Sequence, residues 1–217
     1  MMLNKIFYRA AIVLFFLNVL CISACATGKV ENGAALTNEK KVYTDKPADK
    51  KKYIEYLVNI KSYSTNGKYY QEKYEKLLLS MAEEITEGQD LEISKESIGF
   101  YYDKRSNRTD RLFFGVDINT ARENKLDYGR FSVKLIKENV GGLVEVMCKY
   151  KAILNENEIV GIVIGFRWTE NKGNEQVNIW IKKEDIRLFF DGKITQNEMY
   201  QRSTITNRAG KIILLPI

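Results

Sequence analysis

Between residues 98 and 182 the chain repeats one pattern. Short runs rich in branched and aromatic residues occupy 98–103, 111–118, 129–137, 143–154, 159–169 and 177–182, each bounded by glycine, asparagine or a charged cluster. Such runs read as strands. The segments 104–110, 155–158 and 170–176 between them are of hairpin length, whereas a parallel neighbour needs a crossover of about a dozen residues or more, so the spacing predicts antiparallel neighbours. The expectation is an antiparallel β-meander.

The flanks add helices. Tyr70, Tyr74, Leu77, Leu78, Met81 and Ile85 fall at helical spacing within 68–87, with Gly88 placed to end the helix. Upstream, Ile54, Tyr56, Val58 and Ile60 alternate with mostly polar neighbours, which predicts a first strand. Downstream, 183–190 predicts a short helix closed by Gly192, and Thr195 followed by Glu198 is a capping box opening another helix to Arg202. Strands at 203–207 and 211–215 are expected around the turn Arg208-Ala209-Gly210. The fold class is α+β: a twisted antiparallel meander with one long helix packed on a face and short C-terminal helices.

Three finer expectations follow from the strand pattern. Val144, Val146, Cys148, Tyr150 and Ala152 share a face at period two, which makes Cys148 a packed structural thiol. Gly141-Gly142 reads as a turn before that strand. Gly161 and Gly165 lie inside a strand and leave a shallow track between side chains, read as the seat of the helix, with a ligand as the other occupant. Tyr101, Tyr102, Phe113 and Phe114 read as aromatics filling a core.

With 217 residues, 45% hydrophobic and 29% charged, the chain has material for one modest core. Its charge of +6 is dispersed among 34 bases and 28 acids, so no nucleic acid partner is expected. The densest basic stretch, Lys104, Arg105, Arg108 and Arg111, is read as a solvated turn paired with Asp103 and Asp110. There is no histidine, which removes the usual base of serine and cysteine hydrolases and the commonest zinc ligand. Glu170, Glu175, Glu184 and Asp185 are the acids available for a carboxylate pair. Ser94-Lys95 and Ser132-Val133-Lys134 are the serine–lysine pairings. Neither set has the spacing of a catalytic motif, so no catalytic residue, metal or cofactor is assigned and the chain is read as a non-enzyme.

The N-terminus carries a different kind of signal. Residues 1–9 hold Lys5 and Arg9 without an acid, 10–20 are apolar except for Asn18, and small residues precede Cys25. This is the plan of a secretory signal, and the apolar run is too short to span a bilayer. Ile22-Ser23-Ala24-Cys25 resembles the lipobox of bacterial lipoproteins. The resemblance implies cleavage between Ala24 and Cys25, with diacylglyceryl on the Cys25 thiol and often a further acyl chain such as palmitate on the new amine. Cys21 follows the large Leu20 and leaves with the signal. Several acyl chains together anchor firmly where one does not.

The expected organisation is therefore a signal peptide over 1–24, a lipidated N-terminus and flexible tether over 25–50, and a single α+β domain over 51–217. Such a protein is exported and lipid-anchored, and Ala26 after the cysteine favours the outer membrane or cell surface over the inner membrane. The expected role is a non-catalytic binding or assembly domain with an envelope protein partner. A carrier holding a small or lipidic ligand between sheet and helix is the alternative, and a histidine-free hydrolase comes after it.

Overall fold

The computed structural model describes residues 47–58, 64–89, 91–103, 108, 110–123, 125–170 and 173–217. They fall in one compact unit, 43–217. Three helices come first: α1 (Pro47–Val58), α2 (Thr65–Lys73) and α3 (Glu75–Gly88). Strands β1 (Glu92–Ile93), β2 (Gly99–Tyr102) and β3 (Leu112–Asn119) follow, then α4 (Tyr128–Cys148) and the one-turn α5 (Lys151–Leu154). The hairpin β4 (Ile159–Glu170) and β5 (Gly173–Lys182) leads to α6 (Lys183–Phe190), α7 (Gln196–Arg202) and β6 (Thr204–Asn207). The sheet runs β1-β3-β4-β5-β6, with β2 also on β3. The α+β class is as expected, and every pairing except β3 with β4 is antiparallel.

That exception interrupts the meander, which holds from β2 to β3 and from β4 to β6 but not between β3 and β4. Where two strands were expected at 129–137 and 143–154, the chain forms α4. Each run alternates over a few residues, but Phe131, Leu135, Ile136, Val140, Leu143, Val144 and Met147 recur at three- and four-residue spacing and are all buried. A stripe sustained over about six turns outweighs local alternation. Asp127 caps the helix, accepting from the Arg130 amide at 2.8 Å. Gly141 and Gly142 lie inside the helix rather than at a turn. A Cβ at Gly141 would stand 2.8 Å from Gln196 Nε2, and one at Gly142 would stand 3.1 Å from Gln89 Nε2. The glycines thus admit neighbouring amide side chains. Because α4 supplies the crossover, β3 and β4 lie parallel. Cys148 is the last residue of α4, half-buried, rather than a strand residue.

The segment expected to open with a strand is α1 instead. Ile54, Leu57 and Val58 are buried and Tyr56 is exposed, which is helical spacing that imitates alternation at 54, 56 and 58. Ile60 lies outside the described residues. Proline suits the first position of a helix, so α1 starts at Pro47, inside the segment read as tether. The helix expected over 68–87 is divided into α2 and α3 at Tyr74, whose φ of −112° and ψ of 14° leave helical geometry.

α1 and the sheet edge complete each other. Ile93 pairs with Ile118 and Gly99 with Gly115, so five residues, 94–98, face only two on β3. This bulge, with Glu96 at φ 53°, turns the amides of Glu96, Ser97 and Ile98 outward. They donate to the carbonyls of Tyr56 and Leu57 at 2.9, 3.0 and 3.1 Å, satisfying acceptors that a helix end otherwise leaves open.

At the C-terminus the capping box forms as expected, with Thr195 Oγ1 accepting from the Glu198 amide and the Glu198 carboxylate accepting from the Thr195 amide. The turn at 208–210 forms with Gly210 at φ 75°. The strand expected at 211–215 does not: a single bridge joins Thr206 to Ile212. Ile213, Leu215 and Ile217 pack against the core, while Ile212 and Leu214 face solvent.

The sheet has two unlike faces. Leu112, Phe114, Val116 and Ile118 of β3, Ile162, Ile164 and Phe166 of β4, and Val177, Ile179 and Ile181 of β5 join one cluster with buried residues from all seven described helices. Val163, on the alternate parity of β4, is buried but stands outside that cluster. Among the described residues, the helices therefore cover one side of the sheet.

Within β4, a Cβ at Gly161 would lie 2.1 Å from the Ile181 carbonyl oxygen, a backbone atom that cannot rotate away. Gly161→Ala should cost about 2 kcal/mol, which lowers the melting temperature by roughly 4–8 °C in a domain of this size. Gly88→Ala, at a helical position with nothing within 4 Å, should leave it unchanged or raise it. Thermal unfolding followed by circular dichroism checks both.

Candidate functional site

The side of the sheet turned away from the core cluster carries a continuous polar network. Asp117 of β3 is only 5% exposed. Its carboxylate accepts from the Arg167 guanidinium of β4 and, at 3.4 Å, from Gln176 Nε2 of β5. Gln176 also donates to Asn178 Oδ1 at 2.6 Å, and Asn178 Nδ2 donates to Thr206 Oγ1 of β6 at 3.3 Å. Trp180 Nε1 reaches the same hydroxyl at 3.0 Å. Positions two apart on a strand share a face, which is how four strands align these groups.

Gly165 makes the network possible. It pairs in register with both Asp117 and Asn178, and a Cβ there would lie 2.0 Å from Asp117 Oδ1 and 2.8 Å from Asn178 Oδ1. The glycine track read as the seat of the helix is thus on the other face. Its space at Gly165 is filled by a carboxylate and an amide, and at Gly161 by the β5 backbone. Tyr101 and Phe113 also belong to this face rather than to the core. Phe113 meets Trp180 edge-on at 5.0 Å, and Tyr101 with Val163 fills the space above Gly115. Phe114 is in the core, with Tyr102 packed against it.

Beside the network lies an open groove of about 960 Å³ at the carboxyl ends of the parallel pair β3 and β4, a place where α/β sheets commonly take ligands. β3 and its following loop contribute Asn119 and Thr120, β4 Arg167 and Thr169, and β5 Asn174, Glu175 and Gln176. Glu92 and Arg208 line it as well. The walls are held in place: Asn119 donates to Glu92 at 3.0 Å and accepts from Ser94 at 2.6 Å, and Arg208 donates to the Asn174 carbonyl at 2.7 Å.

The acids singled out from sequence are not assembled. Glu170 pairs with Arg122 at 2.9 Å, with that guanidinium lying over the Phe131 ring. Glu175 is in the groove. Glu184 and Asp185 open α6, beyond the far end of β5, about 23 Å of strand away. Asp185 faces Arg202 at 3.7 Å. Neither serine–lysine pair forms: Lys95 sits over the Tyr56 ring, and Lys134 bonds Glu123 while Ser132 is buried in α4. Burial pushes the Cys148 thiol up to about 12, so it stays protonated at neutral pH. Arg108 pairs with Asp110 at 2.7 Å, as a solvated turn requires, while 104–107 and 109 lie outside the described residues. Ala24 and Cys25 also lie outside them. Among the described residues no cluster of cysteine, aspartate and glutamate is arranged for a metal ion.

A second titratable cluster braces the fold. Tyr70 donates to Glu158, and Tyr74 and Lys73 converge on Glu156. Lys183 donates to the carbonyls of Leu154 and Glu156. These contacts tie α2 and α6 to the loop before β4 and are spent on one another.

Burial holds the Asp117 carboxyl above the usual range, with Arg167 opposing it only in part. A folded-state value above the unfolded one means that the folded chain holds the proton longer, so stability falls as pH rises from the ordinary carboxylate range through that raised value. Asp117→Asn should remove this component. The variant should be more stable than wild type at neutral pH, and the difference should shrink toward pH 4, as read from urea unfolding at a series of pH values. A variant equally destabilised at every pH would show that the carboxylate is a packing element.

No protein-family model matches the chain, and no curated protein or solved structure is significantly similar to it. What this face does must be derived from its own chemistry.

Proposed function

We propose that the protein is a lipoprotein of the bacterial envelope, cut before Cys25 and anchored by lipid on that cysteine, whose domain binds an envelope component through the exposed sheet face. The observation that carries the binding role is the sheet face that no described helix covers, with a buried carboxylate, a network across four strands and a groove at its edge. A solvated sheet face is ordinarily polar, and what sets this one apart is a carboxylate almost wholly buried within the network, which costs stability unless it is compensated.

Two considerations favour binding over the other readings. A carrier needs a chamber between sheet and helices, and the described side chains in that space, among them Phe114, Phe166, Leu78 and Met81, are fully buried against one another. A hydrolase needs two titratable groups in one cleft with opposed environments, whereas at this groove Asp117 is already engaged by Arg167 and Gln176 and Glu92 by Asn119, with Glu175 beside them. Anchoring is carried by the lipobox resemblance alone. No described helix is long and apolar enough to cross a membrane.

Intact mass and detergent partitioning of the chain expressed in a bacterium test the anchor. Wild type should lose residues 1–24, gain acyl mass and enter the detergent phase, and Cys25→Ala should do none of these. If both forms stay unlipidated in the aqueous phase, the anchor is wrong and the domain stands as an exported binding domain without lipid.

A further inference from the structure

We infer that the groove beside Asp117 is a binding site for an uncharged oligosaccharide. This rests on the proposal that this sheet face binds an envelope component, and it names that component's chemistry.

Charge sets the first limit. The groove carries two arginines, Arg167 and Arg208, and two glutamates, Glu92 and Glu175, above the carboxylate of Asp117. A polyanion meets no net positive field there, so nucleic acid and acidic polymers lack the attraction on which their binding depends. Polarity sets the second. The walls are amides, hydroxyls and charged groups, and Trp168, the aromatic lining residue, is itself only 3% exposed. A lipidic ligand would leave these groups desolvated and without partners.

Backbone geometry sets the third limit. Extended peptides gain affinity by adding a strand to an exposed edge. The groove meets β3 and β4 where they pair with each other at Asn119 and Arg167, and it meets β5 at Asn174–Gln176, beyond the span paired with β6, where Arg208 already bonds the Asn174 carbonyl. A peptide on this face finds little free ladder, because Arg208 holds an acceptor that an added strand would need.

The remaining chemistry matches sugar hydroxyls. Each hydroxyl both donates and accepts, and so do the amides of Asn119, Asn174 and Gln176 and the hydroxyl of Thr169. Their neighbours already fix several of these groups in place, which reduces the entropy lost on binding. Four residues along β5 from Gln176, about 13 Å away, Trp180 and Phe113 supply an apolar surface on the same face. The C–H side of a sugar ring can lie against such a surface. The volume is at the upper end for small-ligand sites, and with that separation it favours several linked rings over one.

The test uses the lipidated chain in a detergent without a sugar head group, applied to an array of immobilised neutral and acidic glycans. Hits are titrated in solution by tryptophan emission. Neutral oligosaccharides should be retained, and Arg208→Ala and Gln176→Ala should each weaken them by about tenfold or more, the effect of losing one hydrogen bond to a charged or fixed group. Arg208 is exposed, so that variant folds, and Lys76→Ala on α3 should bind as wild type does. Retention of acidic glycans alone, or neutral binding indifferent to both variants, overturns the inference. No retention at all also overturns it.

Hydroxyl-radical footprinting with isolated envelope material separates this failure from failure of the broader proposal. Protection of Trp180 and Arg167 by a protein fraction, without any glycan, would keep the face as a binding surface and replace its ligand class. No protection by any fraction would sink both.

Discussion

The structure depends on the burial of one stripe of α4 against the sheet. Eight apolar side chains of that helix lie in the core cluster, and each buried residue of this size contributes roughly 1.5–3 kcal/mol. Because α4 lies between β3 and β4 in sequence, its burial also dictates connectivity. The helix carries the chain back to its starting end, so β4 enters parallel to β3, and the next strand returns as a hairpin. All the other described helices then collect on the side that α4 has already occupied.

What α4 leaves uncovered acquires the unusual chemistry. β3 alternates between core residues and Phe113, Gly115, Asp117 and Asn119, and β4 between core residues and Gly161, Val163, Gly165 and Arg167. Three glycines in this set remove side chains where neighbours need the room, and the room at Gly165 goes to a carboxylate and an amide. A buried carboxylate opposes stability unless it is fully compensated. Its retention at the floor of an open groove fits a face kept for binding, in which polar groups are oriented in advance.

Part of the candidate site was visible before the structure. An aspartate within the apolar run Phe113-Phe114-Gly115-Val116-Asp117-Ile118 is a signal that alternation alone could have raised, since it puts a charge on one sheet face. Gly165 drew attention for the right physical reason, close approach, but the approaching group came from strands 48 and 13 residues away in sequence. Arg167, Gln176 and Asn178 carried no signal, because single polar residues in strands are ordinary surface until their partners are known. The acids that did attract attention were neighbours in sequence and separate in space.

The sequence by itself determined the local facts: the amphipathic stripes, the capping box at Thr195, the hairpin of β4 and β5, and the absence of histidine. These depend on residues within a few positions of one another, where propensity and periodicity act directly. Only the tertiary structure decided whether 129–148 was two strands or one helix, because both periods fit short windows and the choice belongs to whichever buries the longer stripe. It also decided the parallel pairing of β3 with β4 and the meeting of Asp117, Arg167, Gln176, Asn178 and Thr206. That meeting follows from register between strands, which is set by the burial of the opposite face rather than by the residues that meet.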